Sequence, residues 1–277
     1  MEREKRIIYF EKICNELNKK NILKLEEALI EYIKIKVGIN NLKNSNIDME
    51  IYNILNEEKF PIDIEYIIEF FEYLLDKEEK NQNGIVFTPK YISDFIVEDS
   101  FRNIKEWNEN IKIIDPSCGC GIFLISAIEY IHDKFDVNIE KIIENNIYGI
   151  DIINDNIRRC KYAIELYCVI NKFNLSKNIK FNLLSTDSLK DEWEKDFDVK
   201  EFDYIIGNPP YVNPHDMEKN TIKFLKDSFK STQDGVFNIF YAFIEKGLKQ
   251  LKKSGTIEYI IPNNVLTIKS ATNLRGI

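Results

Sequence analysis

From Ile111 onward the sequence alternates short β-rich runs with longer helical patterns, and this alternation limits the available folds more than any other feature. Residues 111–115 read as a strand and 121–134 as a helix; 146–151 read as a second strand with a helix over 154–171. Residues 179–184 and 202–207 read as third and fourth strands, 237–253 as a helix and 256–262 as a fifth strand. Strands separated by helices are joined by right-handed crossovers, which build a parallel sheet covered on both faces. The expected fold class is α/β, a doubly wound and mostly parallel sheet. In such sheets a ligand sits beyond the carboxyl ends of the strands.

The first 80 residues have a different texture. Ile7, Ile8, Phe10, Ile13 and Leu17 recur near helical spacing, as do Leu25, Leu29, Ile30 and Ile33, and later Ile64, Ile67, Ile68, Phe71 and Leu75. Pro61 and the Asn-rich stretch 40–46 divide this pattern into separate helices. We expect an N-terminal α-helical domain over 1–80 and a larger domain over 83–277, joined by a polar linker at 77–84. Packing against the larger domain accounts for these helices. A docking face for a partner subunit or for DNA is the sharper alternative.

With 277 residues, 44% of them hydrophobic, the chain can bury one sizeable core and a small appended domain. Charged residues of both signs make up 30%, which argues against wholesale disorder. A formal net charge of −8 excludes a grip on nucleic acid by bulk electrostatics alone, although a local basic groove or a basic partner remains open. The charged, amphipathic start has no signal-peptide core, and no run approaches the ~18 apolar residues of a membrane span. Five cysteines without framework spacing suit a reducing compartment, so a cytoplasmic location is expected. Cys118 and Cys120 form a lone C-x-C; structural zinc needs about four ligands, and no metal is expected.

The residues that carry chemistry fall just after the strands. Strand one runs into Asp115-Pro116-Ser117-Cys118-Gly119-Cys120-Gly121, where small residues let a ligand approach the backbone at a helix N-terminus. No Lys follows the last Gly, so this is not a phosphate loop. Strand two ends in Gly149-Ile150-Asp151, an acid placed to accept from ribose hydroxyls. Strand three is followed by Asp187-Ser188-Leu189, an acid placed to accept from an adenine amine. Singly, each acid suits a solvated turn or a helix cap. On three successive strand ends they point to a nucleoside ligand.

Strand four ends in Gly207-Asn208-Pro209-Pro210-Tyr211. Two prolines stiffen the backbone and hold the Asn side chain and the neighbouring carbonyl in place. Both oxygens can accept from an amine conjugated to an aromatic ring, favouring tetrahedral nitrogen and freeing its lone pair for attack on a sulfonium methyl. Tyr211 offers a ring for a base to stack on, a contact worth ~1–3 kcal/mol. A tight turn capping a strand is the bland alternative.

The order and wording of these motifs resemble the gamma group of N6-adenine DNA methyltransferases of restriction–modification and orphan systems, over roughly residues 83–275. Gly84-Ile85-Val86-Phe87-Thr88-Pro89 resembles the family's first cofactor motif, and the helix around Asn238–Lys246 resembles the one whose Phe, here Phe243, packs on the cofactor adenine. The resemblance implies a class I S-adenosylmethionine-dependent, Rossmann-like domain. It implies cofactor contacts at Phe87, Thr88, Pro89, Asp115, Ser117, Gly119, Gly121, Phe123, Asp151, Ile152, Asp187, Ser188, Asn208 and Phe243, and catalysis at Asn208, Pro209, Pro210 and Tyr211. The implied substrate is an adenine flipped out of double-stranded DNA in a prokaryotic cytoplasm.

In the family, a helix beginning with a Leu-Arg pair, here Leu274-Arg275, is followed by two more strands, an aromatic for the other face of the flipped base, and a target-recognition domain. A second subunit supplying those strands and target recognition is the expected partner. A truncated chain and a silent cofactor- or partner-binding module are the rival readings. Among enzymes, RNA adenine or protein glutamine is the alternative substrate.

Overall fold

The computed structural model describes residues 2–17, 22–40, 42–43, 45–75, 84 and 86–277. Most of the linker expected at 77–84, together with Ile85, Asn41 and Asn44, lies outside the described residues. Among the described residues four helices open the chain: α1 (Glu2–Glu16), α2 (Ile22–Lys36), α3 (Met49–Glu57) and α4 (Ile64–Tyr73). Asp48 caps α3 by accepting from the Glu50 and Ile51 amides, and Asp63 caps α4 by accepting from Tyr66. Helix α3 lies between the Asn-rich stretch and Pro61, within the segment expected to be helical, and buries only Ile51 and Leu55.

The α/β part begins with α5 (Lys90–Phe101) and continues through β1 (Ile113–Asp115), α6 (Ile122–Phe135), α7 (Ile139–Asn145), β2 (Ile147–Asp151), α8 (Asn154–Ile170) and β3 (Asn182–Ser185). It ends with α9 (Trp193–Phe197), β4 (Phe202–Gly207), α10 (Lys219–Ser228), α11 (Phe240–Gln250), β5 (Leu251–Tyr259) and α12 (Thr272–Arg275). The strands form one sheet in the order β3-β2-β1-β4-β5, and all neighbours are parallel. Every residue of β1 and β2 is buried, as a sheet covered on both faces requires. The doubly wound α/β class expected from the alternation is the one observed.

The chain winds outward from β1 to β3 and then restarts beside β1 with β4, so the topological switch lies between β1 and β4. Parallel register sets Asp115 opposite Gly149 and Asp151 opposite Ser185, bringing several motif residues to one edge of the sheet. One boundary differs from expectation. The helix expected over 237–253 stops at Gln250, and strand pairing starts at Leu251 rather than 256. Pairing jumps from Phe202 with Leu251 to Tyr204 with Thr256, and Lys252 Nζ meets Asp203 Oδ2 at 2.7 Å. Lysines that read as a helix surface occupy a bulged strand start.

Helices α2 and α4 pack against α8, and one apolar core runs from Phe10 through Leu29, Phe71 and Cys160 to Ile206. An ionic cluster lies inside this contact. Glu26, fully buried, accepts from Arg159 Nε at 2.7 Å and from Arg158 at 2.8 Å, and Arg158 also reaches Asp155. Removing one member of such a buried set leaves the other charges unsolvated. Glu26→Ala should therefore cost about 3–5 kcal/mol of unfolding free energy in a denaturant titration, and a loss below about 1 kcal/mol would show that water reaches the pair.

Candidate active site

After β1 the chain turns through residues 116–121 before α6. Gly119 (φ +52°) and Gly121 (φ +92°) both take left-handed backbone conformations. At Gly121 an added Cβ would lie 2.6 Å from Cys160 Sγ, so neither the conformation nor the space admits a side chain. Two carboxylates hold the turn: Asp115 Oδ1 accepts from the Ser117 amide, and Asp151 Oδ2 accepts from the Gly119 amide, each at 2.9 Å. Asp151 Oδ1 also accepts from the Ile153 amide at 2.9 Å and from Asn156 Nδ2 at 3.1 Å.

Asp115 is buried, and its Oδ2 has no hydrogen-bond partner among the described residues. Burial pushes its pKa up to about 8, opposed by the Ser117 amide and reinforced by the charge of Asp151. Cys118 and Cys120 are buried free thiols. Hydrogen bonding to Cys160, then burial, raises Cys118 well above the ordinary thiol range, and burial does the same for Cys120.

At the end of β4, Gly207 has φ +145°, and a Cβ there would lie 2.5 Å from Asp115 Oδ1. Its missing side chain lets the Asn208-Pro209-Pro210 segment pass over Asp115. Asn208 Nδ2 donates to Thr88 Oγ1 at 3.1 Å and to the Val86 carbonyl at 3.5 Å, while its Oδ1 accepts from the Tyr211 hydroxyl at 2.5 Å. The Tyr211 hydroxyl also reaches the Ile260 carbonyl at 2.7 Å, and Ser117 Oγ donates to the Asn208 carbonyl at 3.4 Å. Thr88, Ser117 and Tyr211 thus tie three chain segments to one Asn. Burial pushes the Tyr211 hydroxyl up to about 12, so it remains a neutral donor at physiological pH.

These segments border a cavity of about 680 Å³. Of the residues expected at a site, Thr88, Asp115, Ser117, Gly119, Phe123, Asp151, Ile152, Asp187, Ser188, Asn208, Pro210 and Phe243 line it. Phe87, Pro89, Gly121, Pro209 and Tyr211 do not. Phe87 faces the Arg3 guanidinium at 4.8 Å, Pro89 precedes α5, and Pro209 is buried. The Tyr211 ring, expected to face a base, is partly buried and lies at a right angle to the Phe240 ring. Asp187 accepts from the Leu189 amide at 3.0 Å and pairs with Lys190 at 2.8 Å, and Ser188 Oγ donates to the Pro116 carbonyl.

Sequence reasoning missed Glu72, Leu189, Lys190, Met217, Phe224 and Leu225, which also line the cavity. The signal for Phe224 and Leu225 was the amphipathic segment that forms α10, whose sole buried side chain is Leu225. Glu72 carried no local signal, since it comes from the N-terminal helices.

A parallel sheet with its switch point at β1/β4, a glycine turn and acids on successive strand ends define a class I S-adenosylmethionine-dependent methyltransferase fold. A Listeria monocytogenes protein assigned to that class superposes with a TM-score of 0.57 over 98% of this chain and 76% of its own, at 17% identity. Residues 145–277, just under half the chain, match the Eco57I restriction-modification methylase family. The chain is 25% identical to the type II restriction enzyme and methyltransferase RM.Eco57I of Escherichia coli, over 84% of this chain and 28% of that enzyme. It is 29% identical to the modification methylase CviBIII of Paramecium bursaria Chlorella virus NC1A, over 70% of this chain and 42% of that protein. The resemblance carried by the motifs is borne out as far as restriction–modification methylases: this chain is similar to such proteins, and it spans less than half the length of these two relatives.

Asp115 generates a pH prediction. Its native pKa lies above the ordinary carboxylate value, so its contribution to stability is complete below about pH 4 and is lost as pH rises through about 8. In ligand-free protein, the melting temperature of Asp115→Asn relative to the parent should rise between about pH 5 and about pH 9. Parallel melting curves across that range would show that the carboxyl ionises normally.

Proposed function

We propose that this chain is the catalytic part of an S-adenosylmethionine-dependent DNA methyltransferase that modifies the N6 amine of adenine. The observation that carries the reading is the Asn208 carboxamide, pinned by Thr88 and Tyr211 at the rim of a cavity floored by the glycine turn. The kinship with restriction–modification methylases supports DNA over RNA or protein as the substrate.

The cavity suits the cofactor. Its volume falls within the range of small-molecule sites. An added Cβ at Gly119 would meet nothing within 4 Å, leaving open space above the turn, and the buried Asp115 Oδ2 has no partner among the described residues. Ser117 and Gly119 would hold the cofactor from the turn, Asp151 and Ile152 from the end of β2, and Asp187 and Ser188 from the end of β3. Phe123 and Phe243 would supply apolar wall, and Thr88 would close the remaining side. When bound, S-adenosylmethionine supplies an electrophilic sulfonium methyl.

The protein's part is to position and polarise. A carbonyl oxygen has two lone pairs, so Asn208 Oδ1 can accept from Tyr211 and from a substrate amine together. With the Pro209 carbonyl as second acceptor, the amine would turn pyramidal and direct its lone pair at the methyl. Positioning of this kind supplies most of the rate. The proton leaves after nitrogen has become cationic, so no base of shifted pKa is required. An adenine amine inside a duplex is occupied by pairing and stacking, so the base must be flipped out.

We place target recognition and the remaining base contacts outside residues 1–277, on a second subunit or a further domain, because a net charge of −8 gives the chain little attraction for duplex phosphates. We treat residues 1–80 as a helical domain on a catalytic domain of 83–277, acting in the prokaryotic cytoplasm. Among the described residues no helix is long and apolar enough to cross a membrane.

Two predictions test the assignment. Asn208→Ala should reduce methyl transfer from labelled S-adenosylmethionine to DNA by about 10²–10³-fold while the protein still folds; full activity in that variant would refute the assignment. Tyr211→Phe keeps the ring and loses the bond to Asn208, so the rate should fall about tenfold or less. Tyr211→Ala should lose further activity worth ~1–3 kcal/mol if the ring turns to stack on the base. Equal rates for the two variants would leave the hydroxyl as the working part.

A further inference from the structure

The cavity has one wall that the α/β part does not supply. Glu72, in the last turn of α4, borders it, as do Gly84, Val86, Thr88 and the glycine turn. Its helix is held in place from several sides. Phe70 and Phe71 are fully buried, Arg6 pairs with Glu69 at 2.8 Å, and Glu65 accepts from the Lys90 amide at 3.2 Å, where α5 follows Thr88 and Pro89. The half-buried Glu72 carboxylate therefore has a defined position against the turn, close enough for its charge to raise the thiol pKa of Cys120.

The two ends of the cavity differ in chemistry. Toward α10 and α11 it has an apolar wall of Leu189, Phe224, Leu225 and Phe243, suited to a planar base, with Asp187, Lys190, Asp216 and Glu218 also on the lining. Toward the glycine turn it is acidic. Of the acids there, Asp115 is kept protonated near neutral pH by burial, and Asp151 is committed to Gly119, Ile153 and Asn156. A ligand with an adenosine at one end and an amino acid at the other would lie with its ammonium at the acidic end.

We infer that Glu72 accepts a charge-assisted hydrogen bond from the α-ammonium of S-adenosylmethionine, so that the N-terminal helices complete the cofactor site. This rests on the cofactor reading given above. A carboxylate–ammonium hydrogen bond is among the stronger polar contacts, and its loss is felt as affinity.

The test is calorimetric binding of two probes to the full chain. S-adenosylhomocysteine carries the amino-acid end, and 5′-methylthioadenosine lacks it. Glu72→Gln should weaken S-adenosylhomocysteine binding about 10- to 100-fold and leave 5′-methylthioadenosine within about twofold. Unchanged binding of the first probe overturns the role of Glu72 while leaving the cofactor site intact. Equal weakening of both probes overturns it too, showing a structural role, and a lowered melting temperature would accompany that result. Should the parent protein bind neither probe, the cofactor reading itself falls, and this inference with it. Glu72→Asp, which keeps the charge and shortens the reach, should recover part of the lost affinity for S-adenosylhomocysteine only.

Discussion

The site hangs on two hydrogen bonds from backbone amides to buried or nearly buried carboxylates: Ser117 to Asp115 and Gly119 to Asp151. These acids end adjacent strands, so parallel pairing of β1 with β2 sets their spacing before any side chain contributes. The turn after β1 then lines the cavity with Ser117, Cys118 and Gly119 and runs into α6, whose Ile122 and Phe123 line it too. β4 arrives on the other side of β1, and Asn208 can be placed because Asp115 already occupies the space beneath Gly207. An acid that reads in the sequence as a ligand contact is thus first a structural peg. The cost is a carboxyl held largely protonated at neutral pH.

Much of this was legible in the sequence, because period and punctuation carried it. Strand ends marked by Asp115, Asp151 and Gly207 came within a residue or two of the observed boundaries, since parallel strands buried on both faces are short apolar runs that stop at polar or glycine residues. The bulged start of β5 was hidden because Lys252 faces Asp203, a partner about fifty residues away. Tyr211 was read for its ring alone, whereas its hydroxyl also bonds Asn208 and Ile260; a motif gives residue type but not rotamer. Glu72 could not be found at all. It sits in an ordinary amphipathic helix, and only tertiary packing brings that helix to the cavity.

That packing is polar at its centre. The Glu26–Arg158–Arg159 cluster joins α2 to α8, and α8 begins just beyond the Asp151 loop that borders the cavity. Buried ion pairs contribute little net stability compared with apolar contacts of the same volume. They do punish misalignment, since a slipped helix would strand a charge. The described N-terminal helices are thereby held in one register against α8, which a purely greasy contact would fix less strictly.

Gly207 touches no ligand in any scheme considered above, yet its backbone conformation and the 2.5 Å approach to Asp115 leave no room for another residue. In a saturation scan it would score as intolerant as Asn208, its neighbour with the proposed chemical role. Loss of function at these two positions would look alike in a growth or protection assay and mean different things: misplacement of the whole strand end in one case, and a missing acceptor in the other. A damage map of this molecule thus reports the geometry of its switch point as loudly as its chemistry.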